Sequence, residues 1–395
     1  MGAALLLLPA GVLGAWLAVH RVPGFGPWVA DTLRSMIGID GVARLEEFVY
    51  RVEDEFNSVW KRGEQPRAHW TVPPEAEAPV VPEPAAGVGE SAEPERIELP
   101  PFRPASVGPV HIGWSAPGDG QWVPLPEDTP PYEARMFKTL LHPDKQRSWA
   151  ELFVVAIDLR RITLHLVPGT REPAATLKEG MELARPGRVP DEHHAGVLAA
   201  FNGGFKTEHG HYGMHVNGVT LVPPHEATCT IAYFKDHTLR IGSWARLGSQ
   251  LDETAWWRQT PNCMFEDDKM HPRLAEGFVQ KWGATLDKET VIRRSAIGMD
   301  ATGHILYVGI SNHTTAPAIA NGMHHAGAAT VAQLDINFSY PKFVTFRASR
   351  LSPLRFAVPL ADGFEFSEHE YLRKPSGRDF FYVMEGSMDG RTARK

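Results

Sequence analysis

The hydrophobic pattern begins with an apolar stretch over residues 3–19, broken only by a proline and two glycines. This stretch is longer than a usual signal-peptide core and slightly shorter than the ~20 residues that span a bilayer. No convincing small-x-small cleavage site follows it. The pattern therefore predicts an uncleaved membrane anchor over residues 1–20, with a buried core helix as the alternative. Arg21 follows the stretch, and no Lys or Arg precedes it. By the positive-inside rule this weakly favours a C-terminus on the cytoplasmic side, against the export that the anchor otherwise suggests.

A second pattern, in residues 42–60, places apolar residues three and four positions apart with charged residues between them. This period predicts one amphipathic helix within a juxtamembrane segment, residues 21–63. The helix has three possible places: on the main domain, on the membrane surface, or against another copy of the chain. Its apolar positions are Val42, Leu45, Phe48, Val49, Val52, Phe56, Val59 and Trp60.

Residues 64–105 lose this period, and nine prolines and seven acidic residues fall between positions 72 and 104. Proline-rich, acidic segments are extended and semi-rigid. We therefore expect a linker that holds the following domain away from the membrane, a small part of which crosses the folded surface as an extended strand.

Residues 106–395 contain short β-type runs separated by Gly, Asn and Asp. The strongest hairpin signal is Asn217-Gly218, and further hairpins are expected around Asp236 and Gly303. One helix is expected over residues 316–326, leading into a strand over 330–335. Because the strands follow one another as hairpins and not as βαβ units, the pattern predicts a single α+β domain with a mostly antiparallel sheet and a few helices.

Composition narrows the possible functions. The chain of 395 residues is 43% hydrophobic and 22% charged, which is enough for a large core. Its formal net charge is -7 and it has no long basic run, which argues against a nucleic-acid partner. The two cysteines, Cys229 and Cys263, would form a disulfide in an oxidising compartment. The alternative is two buried thiols.

Common catalytic motifs are absent: the sequence has no G-x-S-x-G, P-loop, H-E-x-x-H or C-x-x-C. Candidate chemistry lies in the segment FNGGFKTEHGHYGM, residues 201–214. The amides of Gly203 and Gly204 can face an anion, Lys206 adds positive charge, and Glu208 with His209 supplies an acid/base pair. The alternatives are a tight turn with solvated polar residues and, for His209 with His211, a metal pair that lacks a third ligand.

The order of these motifs resembles the phosphodiester glycosidase family. The resemblance covers roughly residues 149–346 and rests on Ala-Ala-Phe-Asn-Gly-Gly-Phe, the Gly-Met hairpin, Arg-Ser-Ala-Ile-Gly before a second hairpin, and Leu-Asp after the helix. It implies functional roles for Asn202, Gly203, Gly204, Arg294 and Asp335. Many members have Leu-Asp-Gly-Gly-Gly-Ser where this chain has Leu-Asp-Ile-Asn-Phe-Ser, so Asn337 is left to hydrogen-bond a sugar hydroxyl.

The resemblance implies a hydrolase that cleaves a sugar from a phosphodiester of the cell envelope and needs no cofactor. The apolar N-terminal stretch adds the expectation that this hydrolase is exported and anchored in the membrane. Arg294 and Lys206 would clamp the phosphate, Asp335 or Glu208 would act as base or nucleophile, and His209 would shuttle a proton. The alternatives are a non-catalytic polysaccharide-binding or scaffold protein and a metal-dependent hydrolase that uses the two histidines of the loop. The pair Trp256-Trp257 is either a sugar platform or part of the core.

Overall fold

We describe a computed structural model of the chain that covers residues 52, 54–61, 63–72, 99–283, 291–336, 340–348 and 355–386. The predicted anchor, most of the proline-rich segment and Asn337 lie outside the described residues. Within these ranges, no helix has the length and apolar character needed to cross a membrane.

The described residues form eighteen strands in three sheets, and every pairing between these strands is antiparallel. The α+β prediction is confirmed, although the strands divide among three sheets. The strands are β1 (Val123–Pro124), β2 (Met136–Leu141), β3 (Leu152–Asp158), β4 (Ile162–Val167), β5 (Val197–Asn202), β6 (Met214–Val216), β7 (Val219–Val222), β8 (Thr228–Phe234), β9 (Leu239–Ser243), β10 (Thr254–Pro261), β11 (Phe265–Glu266), β12 (Lys269–Met270), β13 (Ile292–Met299), β14 (Ile305–Thr314), β15 (Thr330–Ile336), β16 (Phe343–Ala348), β17 (Arg355–Pro359) and β18 (Phe380–Glu385).

The largest sheet has the strand order β1-β2-β3-β14-β13-β15-β11-β12, and the two five-stranded sheets have the orders β7-β6-β10-β8-β9 and β17-β16-β5-β18-β4. In the described part of the chain, four short α-helices and four 3-10 turns connect the strands, and a further helical stretch, residues 54–60, precedes them. The α-helices are α1 (Lys178–Glu182), α2 (Trp244–Leu247), α3 (Pro272–Ala275) and α4 (Ala316–His325), and the 3-10 turns are Asp191–His193, Thr207–His209, Gly248–Glu253 and Gln280–Trp282.

The large sheet is buried on both faces, which explains the unbroken apolar run of β3. Phe153 and Val155 of β3 pack in a core shared with the five-stranded sheets, and Leu152 and Val154 pack in a second core under α4. Trp256 and Trp257 are buried in β10, so this pair belongs to the core.

The local hairpin predictions are confirmed. β6 pairs with β7 across Asn217-Gly218, β8 with β9, and β13 with β14. β3 and β4 differ from this pattern because they separate into different sheets. β3 already has β2 on one edge and β14 on the other, which leaves it no edge for β4. β4 therefore pairs with β18, more than 200 residues away in sequence.

The predicted linker is packed on the domain at both of its ends. The Trp70 ring lies 6.0 Å from the Phe153 ring, and Lys138 Nζ lies 4.1 Å from the Trp70 ring centre. At the other end, Arg161 Nη2 donates to the carbonyl oxygens of Leu99 and Pro100, each at 2.6 Å. The described residues on either side of 73–98 thus contact the same domain. Residues 64–72 and 99–105, which precede the predicted boundary at residue 106, pack on the folded unit.

The structure contains the predicted disulfide between Cys229 of β8 and Cys263, which follows β10. Their Cα atoms are 4.6 Å apart. Both residues are buried in the core. A disulfide of this kind is typical of proteins that fold in an oxidising, extracytoplasmic compartment.

Phe102 tests the revised boundary, because it is only 2% exposed and packs edge-on against Phe137. We expect Phe102→Ala to lower the free energy of unfolding by about 3–5 kcal/mol, as measured by urea denaturation. Phe366→Ala is the matched control, since Phe366 is 39% exposed. Equal, small losses in both variants would mean that residues 99–105 are a linker after all.

Candidate functional site

Asn202, the last residue of β5, joins two sheets. Its Nδ2 donates to Ser295 Oγ at 2.8 Å, and its Oδ1 accepts from the Lys342 amide at 3.1 Å. Ser295 Oγ in turn donates to the carbonyl oxygen of Asp335 at 2.9 Å. Asn202 is fully buried. These bonds hold the end of β5 against the ends of β13 and β15, where the other candidate residues begin.

The two glycines after β5 both bind Asp379, Gly203 through its backbone carbonyl and Gly204 through its carboxylate. The Gly203 amide donates to the carbonyl oxygen of Asp379 at 2.9 Å, and the Gly204 amide donates to Asp379 Oδ2 at 3.0 Å. A Cβ atom at position 203 would lie 2.3 Å from Asp379 Oδ2. Only glycine permits this close approach. A role of these amides in binding a substrate phosphate stays a prediction.

Arg258 of β10 holds the same carboxylate from the other side. Its Nε donates to Asp379 Oδ2 at 2.9 Å, and both groups are fully buried. The rest of the guanidinium binds the loop after β5: Nη2 donates to the Phe205 carbonyl at 2.5 Å and Nη1 to the Tyr212 carbonyl at 2.9 Å. Through these hydrogen bonds the buried Arg258 fixes the backbone path of the FNGGFKTEHGHYGM segment, residues 201–214.

Asp335 reaches this cluster through a β-bulge. In the pairing of β13 with β15, Ala296 lies opposite Gln333 but Arg294 lies opposite Ile336. Leu334 and Asp335 therefore both lie opposite one residue, Ser295, and the usual alternation of side chains is broken there. The bulge lets Asp335 share the face of Ser295 and Asn202.

The Asp335 carboxylate is buried and forms an ion pair with Arg378 through Oδ2. Burial raises the pKa of Asp335 to about 6, and the nearby charge of Asp379 adds to the effect, while Arg378 opposes it. The Ile336 amide opposes the shift as well, through a backbone hydrogen bond to this carboxyl. A carboxyl group with this pKa can gain and lose a proton near neutral pH.

Arg378 links this carboxyl to an aromatic ring, since its guanidinium carbon lies 4.0 Å from the Tyr340 ring centre. Burial raises the pKa of Tyr340, so the phenol stays protonated. Behind it, Lys342 Nζ donates to Glu370 Oε1 at 3.3 Å. We call Asp335, Asp379, Arg258, Arg378 and Tyr340 the Asp335–Asp379 cluster. It contains two carboxylates and two guanidiniums.

Arg294 points to the other face of the large sheet, because successive side chains of a strand alternate and Ser295 faces the cluster. Its Nη1 donates to the Trp282 carbonyl at 2.6 Å and to Gln333 Oε1 at 3.2 Å. Its Nε donates to the Thr314 carbonyl at 3.1 Å. Burial lowers the pKa of Arg294 to about 9. The structure thus brings Asn202, Gly203, Gly204 and Asp335 together and places Arg294 on the opposite face.

Lys206, Glu208 and His209 lie together on the loop, about one turn beyond the glycines. Glu208 Oε1 is 3.5 Å from Lys206 Nζ and 3.4 Å from His209 Nε2. All three are partly exposed, and His211 is exposed. Among the described residues, no group of three or more His, Cys, Asp or Glu side chains is placed to hold a metal ion.

Four residues of the cluster were missed from sequence: Arg258, Arg378, Asp379 and Tyr340. A signal was present for one of them, because Arg258 interrupts the apolar run of β10, where a charged residue must be buried with a partner. Arg378 and Asp379 immediately precede the apolar β18, a position that solvated residues at a strand end also occupy. The sequence alone therefore does not distinguish Arg378 and Asp379 from solvated residues at a strand end.

A separate cleft of about 540 Å³ lies at the opposite ends of β13 and β15, where Met299 and Thr330 line it. The Asp335–Asp379 cluster is at the Ser295 and Asp335 ends of these strands. The cleft walls are hairpin turns with charges of both signs, among them Arg240, Arg246 and Asp267. The candidate site and this cleft are therefore different places.

We expect Gly203→Ala to lower the free energy of unfolding by at least about 2 kcal/mol, because the new methyl group must displace Asp379. Gly196→Ala is the matched control: the nearest atom to its Cβ would be the flexible Met384 Cε, at 3.1 Å. Urea denaturation of both variants measures the difference. A Gly203→Ala variant as stable as Gly196→Ala would show that the bonds from the glycine amides to Asp379 contribute little.

The raised pKa of Asp335 gives a pH dependence with a defined sign. The folded state binds the proton more tightly than the unfolded state, whose carboxyl has the ordinary value of 3.8. This contribution to stability is complete below about pH 4 and is lost as the pH rises through about 6. Asparagine at this position cannot lose a proton. The stability of the wild type relative to Asp335→Asn should therefore fall between pH 4 and 7, by up to roughly 3 kcal/mol.

Urea denaturation of wild type and Asp335→Asn at pH 4, 5.5 and 7 measures this difference. Asp128→Asn is the control, because the Asp128 side chain is exposed. A difference between wild type and Asp335→Asn that stays constant with pH would contradict the raised pKa.

Comparison with known proteins adds little to this geometry. No protein-family model matches the chain, and no curated protein matches it. A solved structure of a hypothetical protein from Synechocystis aligns with a TM-score of 0.33 and 11% identity over 66% of this chain and 65% of that one. The alignment thus spans slightly less than two thirds of that protein. A protein from Burkholderia pseudomallei K96243, assigned as exported, aligns with a TM-score of 0.32 and 12% identity over 60% and 74% of the two chains.

Proposed function

We propose that this chain is an extracytoplasmic hydrolase that removes a sugar from a sugar-1-phosphodiester of the cell envelope, and that Asp335 and Arg378 carry the reaction. The observation that supports this most is the buried Asp335 carboxyl, which has a pKa of about 6 and forms an ion pair with a guanidinium. Perturbed acids that meet a cation in this way are common at catalytic sites.

The reaction suits these groups. Cleavage at the anomeric carbon expels a phosphate monoester whose last pKa is ~6, so the leaving group needs little protonation. Stabilisation of the charge that develops on the phosphate therefore matters more than protonation of the leaving group. A guanidinium suits this role because it can donate two parallel hydrogen bonds to two phosphate oxygens. Arg378 is the better candidate for this clamp than Arg294, which faces the other side of the sheet. Asp335 then serves as base or nucleophile.

The remaining residues have supporting roles in this proposal. Asp379, held by Arg258 and the Gly204 amide, is a positioning residue that fixes the loop after β5. Lys206, Glu208 and His209 on that loop supply the rim of the site, and Asn337 contacts a sugar hydroxyl. In this proposal the apolar residues 3–19 anchor the chain in the membrane, and the disulfide supports a position of the domain on its outer side.

One observation favours a second function, binding of a polysaccharide without catalysis. The glycine amides that would hold a substrate anion already bind Asp379, and the two carboxylates and two guanidiniums of the cluster are almost wholly buried. A protein that keeps the fold but has filled its anion cradle with its own carboxylate would bind glycans on its surface and turn none over.

Turnover of a panel of hexose and N-acetylhexosamine 1-phosphodiesters, followed by release of free sugar, separates these functions. We expect Arg378→Ala to lower kcat/KM at least ~100-fold through loss of charge stabilisation in the transition state, and Asp335→Asn to abolish turnover. Arg378→Lys should retain part of the activity. Arg246→Ala, at a half-exposed arginine that pairs with Asp267, is the matched control.

Thermal unfolding of each variant shows whether the loss is chemical. If Arg378→Ala retains full activity, the clamp is assigned to the wrong residue. A folded wild-type protein that binds glycans and releases no sugar from any member of the panel would favour the binding protein.

A further inference from the structure

The helical residues 54–60 contact the domain through their polar side. Arg147 donates from Nε to Asp54 Oδ1 and from Nη2 to Asp54 Oδ2, both at 2.8 Å. This two-pronged ion pair is mostly shielded from solvent. About two helical turns after Asp54, Lys61 Nζ lies 5.6 Å from the Trp149 ring centre. The following segment is fixed as well, since His69 Nε2 is 2.8 Å from Glu151 Oε1. The helix is part of the folded body.

The apolar side of this helix faces away from the domain. Val52, Phe56, Val59 and Trp60 are between 47% and 77% exposed. At 3.6 residues per turn these four positions share one side, while positions 54, 57 and 61 share the other. The Phe56 and Trp60 rings stack on each other with centres 6.0 Å apart. A helix that served the core would have the reverse arrangement, with its apolar side inward.

A second element exposes an apolar residue beside the place where the helix binds. Ile112 is 97% exposed. Its loop is held on residues 143–144, because Trp114 Nε1 donates to the Asp144 carbonyl at 3.0 Å. Asp144 Oδ2 also accepts from Arg147, the residue that binds the helix. We call the four exposed helix residues and Ile112 the outward apolar surface.

We propose that the outward apolar surface lies in the interfacial layer of a lipid bilayer and holds the domain directly on the membrane. Aromatic and aliphatic side chains on one side of a helix, with cations at its margin, are the features that bind this layer. Lys145 and Arg67 are exposed in the segments that border the helix and can contact anionic headgroups.

The sequence upstream supports a lipid occupant over a soluble one. The same apolar period continues from residue 52 back to residue 42, and the apolar stretch 3–19 precedes it. A chain anchored by residues 3–19 keeps residues 52–60 near the bilayer at all times, so the surface meets lipid at a high effective concentration. The inference does not depend on any catalytic activity of the domain.

The test uses the full chain reconstituted in vesicles of phosphatidylethanolamine and phosphatidylglycerol. The native cysteines are joined in the disulfide, so a single new cysteine can carry an environment-sensitive fluorophore. Val59→Cys places the label on the outward apolar surface. Ser58→Cys is the matched control, because Ser58 is also exposed but lies on a different side of the same helix.

We expect the label at position 59 to shift its emission to the blue and to be quenched at least about twofold more by brominated lipids than the label at position 58. Phe56→Asp with Trp60→Asp should abolish the shift at position 59. Equal, weak quenching at both positions overturns the proposal. So does a shift that persists when the protein is held in an amphipathic polymer without lipid, since that would indicate a second copy or residues 3–19 as the occupant.

Discussion

The contact on which the site depends is the buried ion pair between Arg258 and Asp379, residues 121 positions apart in sequence. A buried guanidinium without its carboxylate would be strongly destabilising, so the pair fixes β10 against the start of β18. The same carboxylate accepts a hydrogen bond from the Gly204 amide. The same guanidinium donates hydrogen bonds to the carbonyl oxygens of Phe205 and Tyr212. One pair thereby sets the path of the loop that carries Lys206, Glu208 and His209.

This arrangement gives the two aspartates different chemical characters. Both carboxylate oxygens of Asp379 accept hydrogen bonds from protein donors, and this carboxylate supports the loop. Asp335 forms an ion pair with one guanidinium, and its pKa is raised by burial. Neighbouring carboxyls in unlike surroundings are a recurrent way to separate a structural group from a reactive one. The proposed division between a positioning and a reacting residue follows from their hydrogen bonds.

What the sequence predicted well depends on local signals. Asn217-Gly218 defines its hairpin from two adjacent residues, and the helix before β15 follows from its own period. The relation between Arg294 and Asp335 was beyond such signals, because a β-bulge of one residue in β15 decides which face each side chain takes. Asp379 was missed for another reason: its partner lies in a different strand and no spacing rule connects them. The Cys229–Cys263 disulfide was accessible because the chain offers one pairing only.

The proline-rich segment has a meaning that its composition alone does not suggest. Since Trp70 and Leu99 both lie on the domain, the described residues on either side of 73–98 contact the same folded body. A single cut of the chain between them would not by itself shed the domain. The two fragments would remain a non-covalent complex, joined by the ion pairs of Asp54 with Arg147 and of His69 with Glu151 and by the packing of Trp70. Release of the domain from the N-terminal region would thus require these contacts to separate.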